Sequence, residues 1–86
     1  MRPPLIELLN QIAAGVVIFE PFRRDAQGLR EFQDTVERLQ ELERLGWVGR
    51  LFVQSRPIRG AEYVNLVMVQ GGLTAEGRRV LAEHKG

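Results

Sequence analysis

One stretch constrains this chain more than any other: Thr35-Val36-Glu37-Arg38-Leu39-Gln40-Glu41-Leu42-Glu43-Arg44-Leu45-Gly46-Trp47-Val48. Apolar residues recur at helical spacing up to Leu45, Gly46 ends the pattern, and β-type sequence starts at Trp47. The segments before this helix are expected to support it. Those after it are expected to form a hairpin and a closing helix that cover it.

Asp25 can cap a helix that starts at Ala26. Leu29, Phe32, Val36 and Leu39 then form one apolar stripe, which Leu42 and Leu45 continue in three-residue steps that rotate it around the helix. Two readings fit. One is a single helix over 26–45. The other is two helices, with Asp34 capping the second and Glu37 completing a D-x-x-E box. No Gly, Pro or Asn lies between Leu29 and Leu45, which favours a single or barely broken helix.

Upstream, Pro3 and Pro4 suit a first helical turn, and Leu5, Leu8, Leu9 and Ile12 follow at helical spacing. Ile6 and Ala13 widen the apolar surface, and Gly15 closes the helix. Val16-Val17-Ile18-Phe19 is a short β-branched run that predicts a brief buried strand, stopped by Pro21. Phe22-Arg23-Arg24 is expected to be a loop with Phe22 tucked inward.

Downstream, Trp47–Ser55 and Glu62–Val69 are expected strands. Pro57 and Gly60 suggest a four-residue loop over 57–60. That loop sets Arg56 opposite Ala61 and pairs Val53 with Val64, Leu51 with Leu66 and Gly49 with Met68. Leu51, Val53, Val64, Leu66 and Met68 then share one face, with Arg50, Gln54, Tyr63 and Asn65 on the other. After Gln70-Gly71-Gly72, a last helix starts with Thr74 as N-cap and Glu76 in its first turn, points Val80 and Leu81 inward, and frays at His84, Lys85 and Gly86.

Eighty-six residues make one domain, 1–86, with a core small enough that a partner surface is plausible. There is no cysteine, hence no disulfide and no thiolate metal site. No apolar run reaches membrane-spanning length, and Met1-Arg2-Pro3-Pro4 lacks the apolar core of a signal peptide, so the expected location is cytoplasmic. The net charge of +1 hides an asymmetry. Residues 1–46 carry six Arg and eight Asp or Glu, whereas residues 47–86 carry six Lys or Arg and three Glu. A basic second half points weakly to a phosphate-bearing partner.

The order helix, short strand, long or split helix, hairpin, helix is an α+β arrangement. The junction at Leu45-Gly46-Trp47-Val48 resembles the end of a recognition helix entering the first wing strand of winged helix-turn-helix domains. Leu73-Thr74-Ala75-Glu76-Gly77-Arg78-Arg79-Val80-Leu81 resembles the L-T-x-x-G-x-x-x-L segment that follows the wing in small MarR- and PadR-type regulators. The resemblance covers residues 35–81. It implies a winged-helix-like fold and DNA binding in transcription regulation, although such folds also serve as protein-interaction modules. The chain departs from the family where the turn between the second and third helices should stand.

On this resemblance the candidate DNA contacts are Arg50, Arg56 and Arg59 of the wing, with Arg23 and Arg24 adding contacts if their loop lies near. Gln40 and Arg44 are the base-reading candidates on the central helix, beside Glu37 and Glu41. A solvated helix face and simple protection of exposed edges explain the same residues without DNA. Trp47 fits a core anchor better than a binding platform. Gly71-Gly72 lacks the Gly-Lys-Ser/Thr of a phosphate loop, and His84 stands alone. No paired acid and base is present, so no enzyme, cofactor or metal site is expected. A symmetric dimer would double the basic footprint and match a two-fold DNA site. The alternative expectation is an adaptor that binds a protein through its apolar first helix or acidic central helix.

Overall fold

The computed structural model describes residues 4–23 and 25–85. The elements run α1 (Leu5–Ala13), β1 (Ile18–Phe19), α2 (Ala26–Arg44), β2 (Leu51–Ile58), β3 (Ala61–Val69) and α3 (Ala75–Lys85). This is an α+β fold with three helices and one antiparallel sheet in the order β1-β3-β2. No helix of the described residues is long and apolar enough to cross a membrane.

The α2 helix is continuous over 19 residues, so of the two expected arrangements the single helix forms. Asp25 caps it by accepting from the Gly28 N–H at 2.7 Å. At its other end the Gly46 N–H donates to the Glu43 carbonyl and the Trp47 N–H to the Leu42 carbonyl, with Gly46 at φ 79°. These are the paired bonds of a Schellman termination, which needs a left-handed residue that glycine adopts without strain.

Leu8, Leu9 and Ile12 of α1, Phe32, Val36, Leu39 and Leu42 of α2, Val67 and Val69 of β3, and Leu73 and Leu81 beyond form one buried cluster. Trp47 packs on it partly buried, as an anchor should. The C-terminal helix is tied to the α2–β2 junction at Leu73-Thr74-x-x-Gly77. Val48 bridges to Leu73, Thr74 Oγ1 donates to the Gly46 carbonyl at 2.6 Å, and the Gly77 N–H donates to that same hydroxyl at 3.0 Å. A side chain at Gly77 would collide with the Trp47 carbonyl, so only glycine lets the two segments meet this closely. The segments that carry the family resemblance are therefore in direct contact.

Several expectations fail. The hairpin closes through a two-residue turn, Arg59-Gly60, with φ of 51° and 84°, and not through a four-residue loop. Two successive left-handed residues mark the turn type that matches strand twist. The register becomes Leu51 with Val69, Val53 with Val67 and Ser55 with Val64. Near the tip the shift is two residues and keeps the expected face; beyond the bulge it is three, and an odd shift exchanges the faces of the strand. Val67 and Val69 thus enter the core, while Leu66 and Met68 turn to the outer face opposite Gln54 and Phe52. A bulge between Gln54 and Ser55 leaves Asn65 as the extra residue and returns Val64 to the core side.

The first hairpin strand starts at Leu51, since residues 47–50 turn from the helix toward the sheet. Leu45 is 44% exposed, because the stripe has rotated out of the core by the last turn. Phe22 is fully exposed and not tucked inward. The final helix includes His84 and runs to Lys85. Pro4 serves as the N-cap of α1; Pro3 and Gly86 lie outside the described residues.

The short β1 reaches only as far as Val67 along β3. Beyond it, Gln33 of α2 takes the edge. Its Oε1 accepts from the Val64 N–H at 3.1 Å and its Nε2 donates to the Val64 carbonyl at 2.8 Å. One side-chain amide thus occupies both backbone groups that a strand would have paired.

Candidate nucleic-acid interface

The hairpin is well packed at its base and bare toward its tip. Residues 52–57 of β2 are all exposed, and no ladder partner lies on the outer side of that strand. Arg56 pairs across the ladder with Tyr63, and Arg59 sits in the turn itself. Holding a non-glycine residue in the left-handed region costs on the order of 1 kcal/mol, and here it places Arg59 in the turn that ends the hairpin.

The N-terminal half of α2 lies beside this tip. Ala26, Leu29 and Arg30 share a shallow cleft with Ile58, Arg59 and Tyr63. Arg56 lines the adjoining cleft with Glu20, Phe22, Leu29 and Leu66. Arg30, Arg56 and Arg59 therefore gather around Leu29. Among the described residues none of the three is ion-paired; the paired arginines are Arg23, Arg38 and Arg79. Arg30 was missed in the sequence because it sits in the acidic half of the chain. Its helical position one residue after the buried Leu29 was the available signal. Glu20 and Glu62 also lie at this end and lower its net positive charge.

The other candidates are dispersed. Arg50 pairs across the ladder base, where the Gln70 N–H donates to its carbonyl at 2.8 Å. Gln40 and Arg44 are exposed on the C-terminal half of α2, at that same base. The Arg23 guanidinium is engaged by Asp25 at 2.6 Å. Arg24 lies outside the described residues. The structure thus brings Arg56 and Arg59 together with Arg30, and it does not bring Arg50, Gln40, Arg44 or Arg23 to them.

The α2 face away from the core carries Arg30, Glu37, Gln40, Glu41 and Arg44, with Glu41 bonded to Arg38 at 2.8 Å. Glu43 is turned to the sheet, where its carboxylate accepts from the Leu51 N–H at 2.9 Å. With α2 unbroken and two glutamates on its outer face, no separate recognition helix is presented. Asp25 has a lowered pKa, chiefly because its carboxylate accepts the Gly28 N–H and then because Arg23 lies beside it. On the far side of the molecule the Arg79 guanidinium donates to the carboxylates of Glu76 and then Glu83, which raises its pKa.

Compared with protein families, curated proteins and solved structures, the chain matches none.

Proposed function

We propose that this is a small winged-helix-like DNA-binding protein, a transcription regulator that grips the duplex backbone with its basic hairpin. The observation that carries the reading is the gathering of Arg30, Arg56 and Arg59, all without an ion-pair partner among the described residues, at an exposed hairpin tip. Arginines so placed suit phosphate oxygens, and contacts to phosphate position a protein without reading sequence. The element order and the β1-β3-β2 sheet support the winged-helix-like part of the reading, with α2 standing where that fold has two helices and a turn. Glu37 and Glu41 argue against insertion of α2 into a groove, so the hairpin does the binding.

The test is fluorescence anisotropy with two unrelated duplexes between about 50 and 200 mM salt. Both should bind alike at low salt and weaken steeply as salt rises. No binding at low salt overturns the proposal.

A second reading has its own support. On the outer sheet face Ile18, Met68 and Phe52 stand in one row across the three strands, with Ile18 and Phe52 about half exposed. Together with the bare Phe22, this apolar surface suits a protein partner. An adaptor takes first place if DNA binding fails.

A further inference from the structure

The outer edge of β2 carries a pattern of backbone groups that matches itself. Hydrogen-bond direction alternates along an antiparallel strand, so each residue faces either its ladder partner or the open edge. The Gln70 N–H bonds the Arg50 carbonyl, which makes Arg50, Phe52 and Gln54 the residues that face β3. Leu51 and Val53 face outward, and the Leu51 N–H accordingly reaches the Glu43 carboxylate. After the bulge, Ser55 pairs with Val64, whose own backbone groups point away to Gln33, so Ser55 also faces outward. Pro57 is the next outward position and has no N–H.

The edge is therefore closed at both ends, by Glu43 at Leu51 and by Pro57 near the tip, and open only at Val53 and Ser55. Proline and charge are common ways of blunting an edge. Here they leave a window with Gln54 at its centre.

We infer that this window pairs antiparallel with the same window of a second copy, about a two-fold axis beside Gln54. In that register Val53 of each chain exchanges both backbone bonds with Ser55 of the other, giving four bonds. Phe52, 53% exposed in the single chain, comes to lie opposite Arg56 of the second copy on the outer face, in position for a cation–π contact. The window is self-complementary in donors, acceptors and side chains, as an isologous interface must be. This register sets the two blocked positions, Leu51 and Pro57, against each other, whereas a shift of two residues sets one of them against the open backbone groups of Val53 or Ser55.

The pairing stands on the edge geometry and does not rest on the DNA reading. It does bear on it. Each hairpin tip lies five to six residues beyond Gln54, and at about 3.3 Å per residue the two tips stand about 36 Å apart, close to one turn of duplex DNA.

The chain has no cysteine, so single-cysteine variants give a clean test. Gln54 would face its own copy as a non-hydrogen-bonded pair, with Cβ atoms close enough for a disulfide. Gln54→Cys should cross-link to a dimer under mild oxidation. Ala82→Cys, which lines the apolar groove between α1 and α3, should stay monomeric. Sedimentation of the wild-type chain should show a dimer at concentrations on the order of 100 µM, weak because the interface is small. Ser55→Pro removes two of the four donors and should raise the dissociation constant about tenfold or more. Far-UV circular dichroism shows whether that variant folds, and the cross-link reports independently of it. A wild-type monomer throughout that range, or cross-linking at Ala82→Cys and not at Gln54→Cys, overturns the inference. A dimer that binds no DNA keeps the strand pairing and removes only the DNA reading.

Discussion

The two ends of the hairpin obey different rules. At the base, Leu9, Leu39, Leu42, Val67 and Val69 are fully or almost fully buried, and the chain is locked by the Schellman turn at Gly46 and the Thr74 hydroxyl. At the tip, no residue from Phe52 to Pro57 is buried, and the hairpin is held from the side by Gln33 and Leu29. The base buries apolar area and supplies the stability. The tip exposes arginines and supplies a surface that stability does not need. Substitutions should therefore separate the ends.

The largest effect belongs to the base. Leu39→Ala or Leu42→Ala should cost about 2–5 kcal/mol, because neither side chain has room to be replaced by solvent. Unchanged denaturation midpoints in both would break the contrast. Next is the amide that joins the two ends. Gln33→Leu leaves the Val64 N–H and carbonyl without partners and should cost about 1–3 kcal/mol. The loss should be local, seen as faster hydrogen exchange of Val64 with Val67 unchanged. Equal acceleration at both would mean the hairpin unfolds as one unit.

These assignments show what was legible in the sequence. The end of α2 and the start of α3 were, because Gly46 and Thr74 signal helix boundaries by their own chemistry and act within a few residues. The continuity of α2 followed from the lack of any breaker. The register was not legible. Pro57 and Gly60 both suit a four-residue loop, and nothing local announces that Arg59 will adopt a left-handed conformation. That turn shifts the pairing by two residues and keeps the faces; the extra residue at Asn65 makes the shift odd and moves Leu66 and Met68 out of the core and Val67 and Val69 into it. The bulge at Asn65, which keeps Val64 inside, left no mark that a strict two-residue period could detect. The pairing of Gln33 with Val64, 31 residues away, depends on where β1 stops and so on the whole fold. Of the candidate site, Arg56 and Arg59 were legible as hairpin-tip residues, whereas Arg30 joins them only through packing of α2 against the hairpin.

Smaller effects sharpen the comparison. Thr74→Ala removes both the N-cap of α3 and its bond to Gly46, at a cost of about 1 kcal/mol. Thr74→Ser should restore most of it, and a serine variant as unstable as the alanine one would assign the effect to the methyl group. The smallest effect is at Asp25. Its pKa lies below the ordinary 3.8, so its charge stabilises the fold above that value, and the contribution fades as pH falls through the lower folded value. The difference in Tm between wild type and Asp25→Asn should be present at neutral pH and close in acid. A constant difference at all pH values would contradict the hydrogen bond from Gly28 as the cause.

The separation of stability from binding is tested most directly by the double variant Arg56→Ala/Arg59→Ala, measured for both properties. Its denaturation midpoint should match the wild type, since surface changes lie within about 0.5 kcal/mol. Its affinity for duplex DNA should fall about equally on every sequence, and the slope of log K against log salt should flatten by about two. A double variant that binds with the wild-type slope, while a change at Gln40 or Arg44 abolishes binding, would place the interface on α2 and contradict the account.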